Sequence, residues 1–176
     1  MGFTGDVLAT AIAAVLAVAG LSKLARASET KTAWSRHGIL PPRMVAAAAS
    51  LTGPVEVAVA AGLIVPETRS PAAFSAVALF VVYTTYLGVA LSRGVEGGCG
   101  CFGADLTQNV NVGHVIRAAI LGAMAVVAAT TGTTSVDAAA LSLGAATGAG
   151  VVFVGSLLVA LLDMAPRRKT RRTVSP

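Results

Sequence analysis

The stretch VLATAIAAVLAVAGLSKL, Val7 to Leu24, decides the fold. It is nearly all Ala, Val, Leu and Ile, and it is long enough to cross the roughly 30 Å hydrocarbon core of a bilayer. It lacks the polar–apolar alternation of a barrel strand, so the expectation is a transmembrane helix. Met1 to Asp6 carries no basic n-region of a secretory signal, which makes this helix a retained one. Similar apolar runs follow at about 44–65, 72–92 and 114–131, and a longer one extends from Ala138 to Leu162. The predicted fold is therefore an all-α integral membrane protein with four transmembrane helices and a fifth at the C-terminal end.

Composition agrees. Of 176 residues, 55% are hydrophobic and only 12% charged, about half the charged share of ordinary soluble domains. The net charge of +5 raises nucleic acid as a partner, but the basic residues sit in loops and in the tail Arg167, Arg168, Lys169, Arg171 and Arg172, the pattern of positive-inside topology. The expected partner is the lipid bilayer, and no nucleic acid. With five crossings, twelve of the thirteen basic residues share one side and Arg69 alone lies on the other. That imbalance predicts a multi-pass protein of the inner or plasma membrane, N-out and C-in, with its third loop in the cytoplasm.

Between the first two helices, Leu24, Ala27, Lys31 and Trp34 recur at helical spacing. This suggests a short interfacial helix with Trp34 at headgroup level, and His37 as a loop residue before Pro41 and Pro42. The second helix holds Glu56. A carboxylate in the bilayer interior costs several kcal/mol unless paired, and the hydroxyls of Tyr83-Thr84-Thr85-Tyr86 on the third helix are the expected partners. Arg117 makes the fourth helix the weakest of the spans. His114 and Arg117, three apart, share one face at its start, toward whichever element covers the third loop. Gly144, Gly148 and Ser156 in the fifth helix read as close-packing positions.

The third loop, 93–113, contains both cysteines of the chain, in Gly97-Gly98-Cys99-Gly100-Cys101-Phe102-Gly103. Glycines around two thiols one residue apart allow the backbone angles that bring the sulfurs together. The small ring that results is strained, and strained, accessible disulfides exchange readily. Arg93, Arg117 and the start of the fourth helix favour the thiolate. Three readings of Cys99 and Cys101 stay open at this point: dithiol–disulfide exchange, capture of a soft metal such as copper or mercury, and two inert loop cysteines. A metal would need more ligands, for which His114, His37 and Asp105 are the candidates, without diagnostic spacing. No haem, flavin or quinone motif is recognisable, so no cofactor is assigned.

Several placed features together resemble the MauE family of methylamine-utilisation membrane proteins, within the broader DoxX-like group. They are Gly20-Leu21-Ser22-Lys23-Leu24, His37-Gly38-Ile39-Leu40-Pro41, Glu56, and Cys99-Gly100-Cys101-Phe102-Gly103, spread over about Leu8 to Val127. The resemblance implies a four-helix core, here 1–132, to which a helix at 133–165 and a basic disordered tail at 166–176 are additions. It also implies thiol–disulfide handling linked to disulfide formation in methylamine dehydrogenase maturation, alongside a thioredoxin-like partner. Carried over by position, Cys99 and Cys101 become the redox pair of a thiol–disulfide oxidoreductase or of an accessory to one, with Glu56, His37, His114 and Arg117 in support. The alternatives are soft-metal binding by Cys99 and Cys101, and a non-catalytic anchor for a redox partner.

Overall fold

The computed structural model describes residues 2–95, 110–131 and 138–164. Helix α1, Gly2–Ala25, is apolar all round, as suits the most enclosed helix of a bundle. Helices α3 (Pro42–Ile64), α4 (Arg69–Ser92), α5 (Val112–Thr130) and α6 (Ala138–Met164) follow, and the short α2, Ala27–His37, lies between α1 and α3. There is no strand among the described residues. Among the described residues four helices are long and apolar enough to cross a membrane, those of α1, α3, α4 and α5. With 27 residues, or about 40 Å at 1.5 Å per residue, α6 has the length for another crossing. The chain is a multi-pass membrane protein, and the bilayer is its surroundings.

Direction can be read from contacts. Gly20 faces Gly53, while Thr10 and Ala13 share a groove with Ala61 and Ile64, so α1 and α3 are antiparallel. On the other flank Gly144 meets Val7 and Thr10 and Gly148 meets Ala11, so α6 runs parallel to α1. A Cβ on Gly144 or Gly148 would sit 2.7 Å from the carbonyl oxygen of Val7 or Ala11, and these two glycines are the close-packing positions expected of them. The core they enclose is built on Ile12, Leu16, Leu63, Phe80 and Leu121 among many alanines.

Helix α2 ends because Gly38 takes a left-handed conformation, φ +60°, that few other residues adopt at low cost. The chain then turns through Ile39 and Leu40, and Pro42 opens α3 at a position where its missing N–H is no loss. Ala33 and Trp34 of α2 pack on Val45 at the start of α3.

Candidate functional site

Buried charge marks two places in the bundle. At one end Arg69 donates from Nη1 to Asp6 Oδ1 at 2.5 Å and from Nε to the Leu63 carbonyl at 3.0 Å, with both side chains sealed from solvent. At the other, Lys23 Nζ lies 2.6 and 2.7 Å from the two oxygens of Glu56. Asp6 and Lys23 are seventeen residues apart on α1, about 25 Å along the axis, so ion pairs tie this central helix to its neighbours near both of its ends.

The Lys23–Glu56 pair depends on a close helix crossing. A Cβ on Gly20 would lie 2.8 Å from the Gly53 carbonyl oxygen and 3.0 Å from Glu56 Cβ, so only glycine permits the approach. Side chains on a helix lean toward its N-terminus, and Lys23 reaches back over the turn of Gly20 to the carboxylate. Tyr83 on α4 donates its hydroxyl to Glu56 Oε1, and its ring lies 5.4 Å from the ammonium. The expectation that a hydroxyl of the 83–86 segment serves Glu56 therefore holds for Tyr83. The lysine is the partner that sequence reasoning missed, because a basic residue closing an apolar run looks like a topology signal.

His114 and Arg117, on α5, line the same small cavity as Lys23, Glu56, Tyr83, Phe80 and Leu87. Its volume, about 30 Å³, is enough for a water molecule. The two residues face the bundle interior, at 5% and 8% exposure. Asn111 caps α5: its side chain accepts from the Gly113 N–H at 2.9 Å, and its own N–H donates to His114 Nδ1 at 3.3 Å. With Nδ1 accepting, the proton of the neutral imidazole belongs on Nε2.

His37 is not a loop residue. It is the last residue of α2, 4% exposed, with Nδ1 2.7 Å from the Tyr86 hydroxyl. Trp34 turns inward on the bundle; it is 8% exposed, with its ring 5.7 Å from that of Tyr86. Two of the charges counted as loop residues, Lys23 and Arg69, are buried ion-pair members.

Cys99, Cys101 and Asp105 lie outside the described residues. The chain on either side of them does not: Val95 and Val110 belong to one apolar cluster with Leu87, Ala90 and Ala118, packed beside Ile39 and Tyr86. Both ends of the cysteine segment are thus held at the end of the bundle where α2 docks, and Leu87 touches both that cluster and the polar cavity. Among the described residues, no three His, Cys, Asp or Glu gather as a metal-binding set.

A helical multi-pass bundle with an intramembrane lysine–glutamate–tyrosine cluster, next to a segment bearing two cysteines, defines a class of small membrane proteins with a polar interior site. The chain belongs to the MauE family: the profile described as methylamine utilisation protein MauE matches residues 1–131. Among curated proteins it is similar to the methylamine utilization protein MauE of Paracoccus denitrificans, 35% identical over 68% of this chain and 64% of that one. The MauE proteins of Methylophilus methylotrophus (33% identical, 64% of this chain and 60% of that one) and Paracoccus versutus (35%, 67% and 64%) match similarly. The matches therefore span less than two thirds of the length of these relatives. No solved structure matches.

Proposed function

We propose that this protein is a membrane thiol–disulfide redox component, in which Cys99 and Cys101 cycle between dithiol and disulfide by exchange with a thioredoxin-like partner. The observation that carries the reading is the Cys99-Gly100-Cys101 pair in a MauE-family chain, on a segment whose two ends pack together beside the buried polar site. In the exchange a thiolate of the pair attacks the partner disulfide, a mixed disulfide forms, and the second cysteine releases it, so thiols and disulfides balance. The reverse direction runs through the same intermediate. Methylamine utilisation, the process named for the relatives, is the physiological setting we assign to it.

Within this reading the polar cluster is support. Lys23–Glu56 and Tyr83 fix α1, α3 and α4 against one another, while His37–Tyr86 fixes α2, and the cysteine segment is anchored on that frame. We also place the segment on the cytoplasmic side, N-out and C-in. Leaving aside the buried Lys23, Arg69 and Arg117, exposed Arg26, Lys31, Arg36, Arg43 and Arg93 join the tail on one side, and no basic residue remains on the other. There the pair meets reduced thiols and relays their electrons.

Replacing one cysteine at a time tests the exchange. Cys99→Ser or Cys101→Ser should leave a single thiol that traps the partner as a mixed disulfide on a non-reducing gel and stops turnover with a thioredoxin-like protein. Full exchange by both variants would refute the proposal.

A further inference from the structure

Alone among the described α-helices, α2 is rich in polar residues, and its two faces differ sharply. Thr30, Ala33, Trp34 and His37 form an inner face buried against the bundle. Ser28, Lys31, Thr32, Ser35 and Arg36 recur at intervals of three and four, so they share the opposite face, where they line one open surface groove. All five are exposed, none is apolar, and no ion pair among the described residues engages Lys31 or Arg36. A helix lying on a bilayer turns Trp, Phe or Leu toward the acyl chains. The outward face of α2 has none of these, so it fronts water. Arg26 at the N-cap of α2 and Arg43 in the first turn of α3 add exposed cations. Both stand at helix N-termini, where the macrodipole disfavours positive charge, so helix stability does not account for them.

We propose that the outward face of α2 is the docking surface for the thiol-exchange partner, which meets Lys31 and Arg36 with carboxylates on the rim of its own disulfide site. The identity of the partner rests on the dithiol reading above; the charge and the face do not. Position favours this occupant. His37 Nδ1 lies 2.7 Å from the Tyr86 hydroxyl, Trp34 packs beside the same ring, and Tyr86 and Ile39 pack on the cluster that contains Val95 and Val110. Helix α2 therefore stands next to both ends of the cysteine segment, with its outward face one helix diameter, about 10 Å, away. A protein that reaches the segment covers α2 as it does so.

The hydroxyls decide between a protein and a phospholipid headgroup. Thr32 donates to the Ser28 carbonyl at 2.9 Å and Ser35 to the Lys31 carbonyl at 2.8 Å, so both turn only acceptor lone pairs outward. A phosphate is itself an acceptor and has nothing to donate to them. A protein face carries carboxylates for Lys31 and Arg36 together with amide and hydroxyl donors for Thr32 and Ser35. Complementary charge of this kind speeds encounter, suppresses wrong partners and weakens with salt.

The test uses the full chain in phosphatidylcholine nanodiscs, where both sides of the bilayer are open to solution. Two probes are compared: a thioredoxin-like domain with carboxylates around its disulfide, and the same domain with amides in their place. Lys31→Glu/Arg36→Glu should weaken binding of the acidic domain by about ten-fold or more and leave binding of the amide domain unchanged. Unchanged Trp34 emission in this variant establishes that α2 is still docked. Exchange with the acidic domain should slow in step with binding, whereas exchange with a small neutral disulfide should match the wild type. Binding indifferent to the charge reversal overturns the inference, as does an equal loss for the two domains. A loss seen only when anionic phospholipid is added also overturns it, and makes α2 a headgroup site. A Cys99→Ser/Cys101→Ser protein separates the two ideas: it should bind the acidic domain with the same charge dependence while exchanging nothing. Charge-dependent binding by a wild type that exchanges with neither probe nor small disulfide counts against the dithiol reading, and active exchange with charge-indifferent binding counts against the docking surface.

Discussion

Lys23 Nζ contacts both carboxylate oxygens of Glu56, at 2.6 and 2.7 Å, and so joins the last turn of α1 to the interior of α3. Both residues are almost fully buried, and an unpaired charge left in such a place is costly while an absent pair is not. Lys23→Met and Glu56→Gln should therefore each destabilise the bundle by about 3–5 kcal/mol. The Lys23→Met/Glu56→Met double variant should recover a large part of that loss. Unfolding by graded SDS in mild detergent measures all three, and single variants as stable as the wild type would show that the pair is not a structural tie.

The Gly20–Gly53 crossing makes a sharper steric prediction. Gly20→Val places atoms where the Gly53 carbonyl and Val57 already sit, so it should separate α1 from α3 and pull Lys23 off Glu56. Gly88→Ala, whose Cβ meets nothing within 4 Å, should be neutral or slightly stabilising through helix propensity. Thermal denaturation of the two variants side by side checks the contrast.

The ion pair and the glycine crossing beneath it are only partly legible in the sequence. The spans were readable because each is a long apolar run, and a hydroxyl partner for Glu56 was readable because a buried carboxylate demands one. Lys23 and Arg69 were not, since a charge at the edge of an apolar run has the same appearance whether it faces headgroups or turns inward to a carboxylate. Gly20 and Gly53, each three residues before a member of the ion pair, were the available signal. His37 was obscured differently: the left-handed Gly38 ends α2 directly after it, so its neighbours read as a turn although its ring packs on Tyr86. The three-residue spacing of His114 and Arg117 specifies one face of α5, as the cavity they share shows, but what that face meets depends on how α5 sits against α1 and α4, which periodicity does not specify.

Trp34 is the sole tryptophan of the chain, and its burial against Tyr86 turns it into a reporter of α2 docking. Tyr86→Phe removes the His37 hydrogen bond, a loss of about 1 kcal/mol, and should leave the emission nearly unchanged. Tyr86→Ala removes the ring as well and should shift the emission to the red as Trp34 gains water. A blue-shifted or unaltered spectrum in Tyr86→Ala would mean that α2 does not depend on this contact.

Sidedness follows from the charge distribution. A membrane-impermeant maleimide should label Cys99 and Cys101 only after the cells are opened, whether or not a mild reductant is present. Labelling of intact cells after reduction would place the segment outside and reverse the proposed topology.

The most direct measurement of the central claim is a redox titration of the purified full-length protein. Samples are equilibrated at graded thiol–disulfide ratios, quenched, and alkylated for mass determination. If Cys99 and Cys101 are a redox pair, two adducts appear together at reducing poise and none at oxidising poise, along a single two-electron curve. Two freely alkylated thiols at every poise, or two that disappear independently, would contradict it.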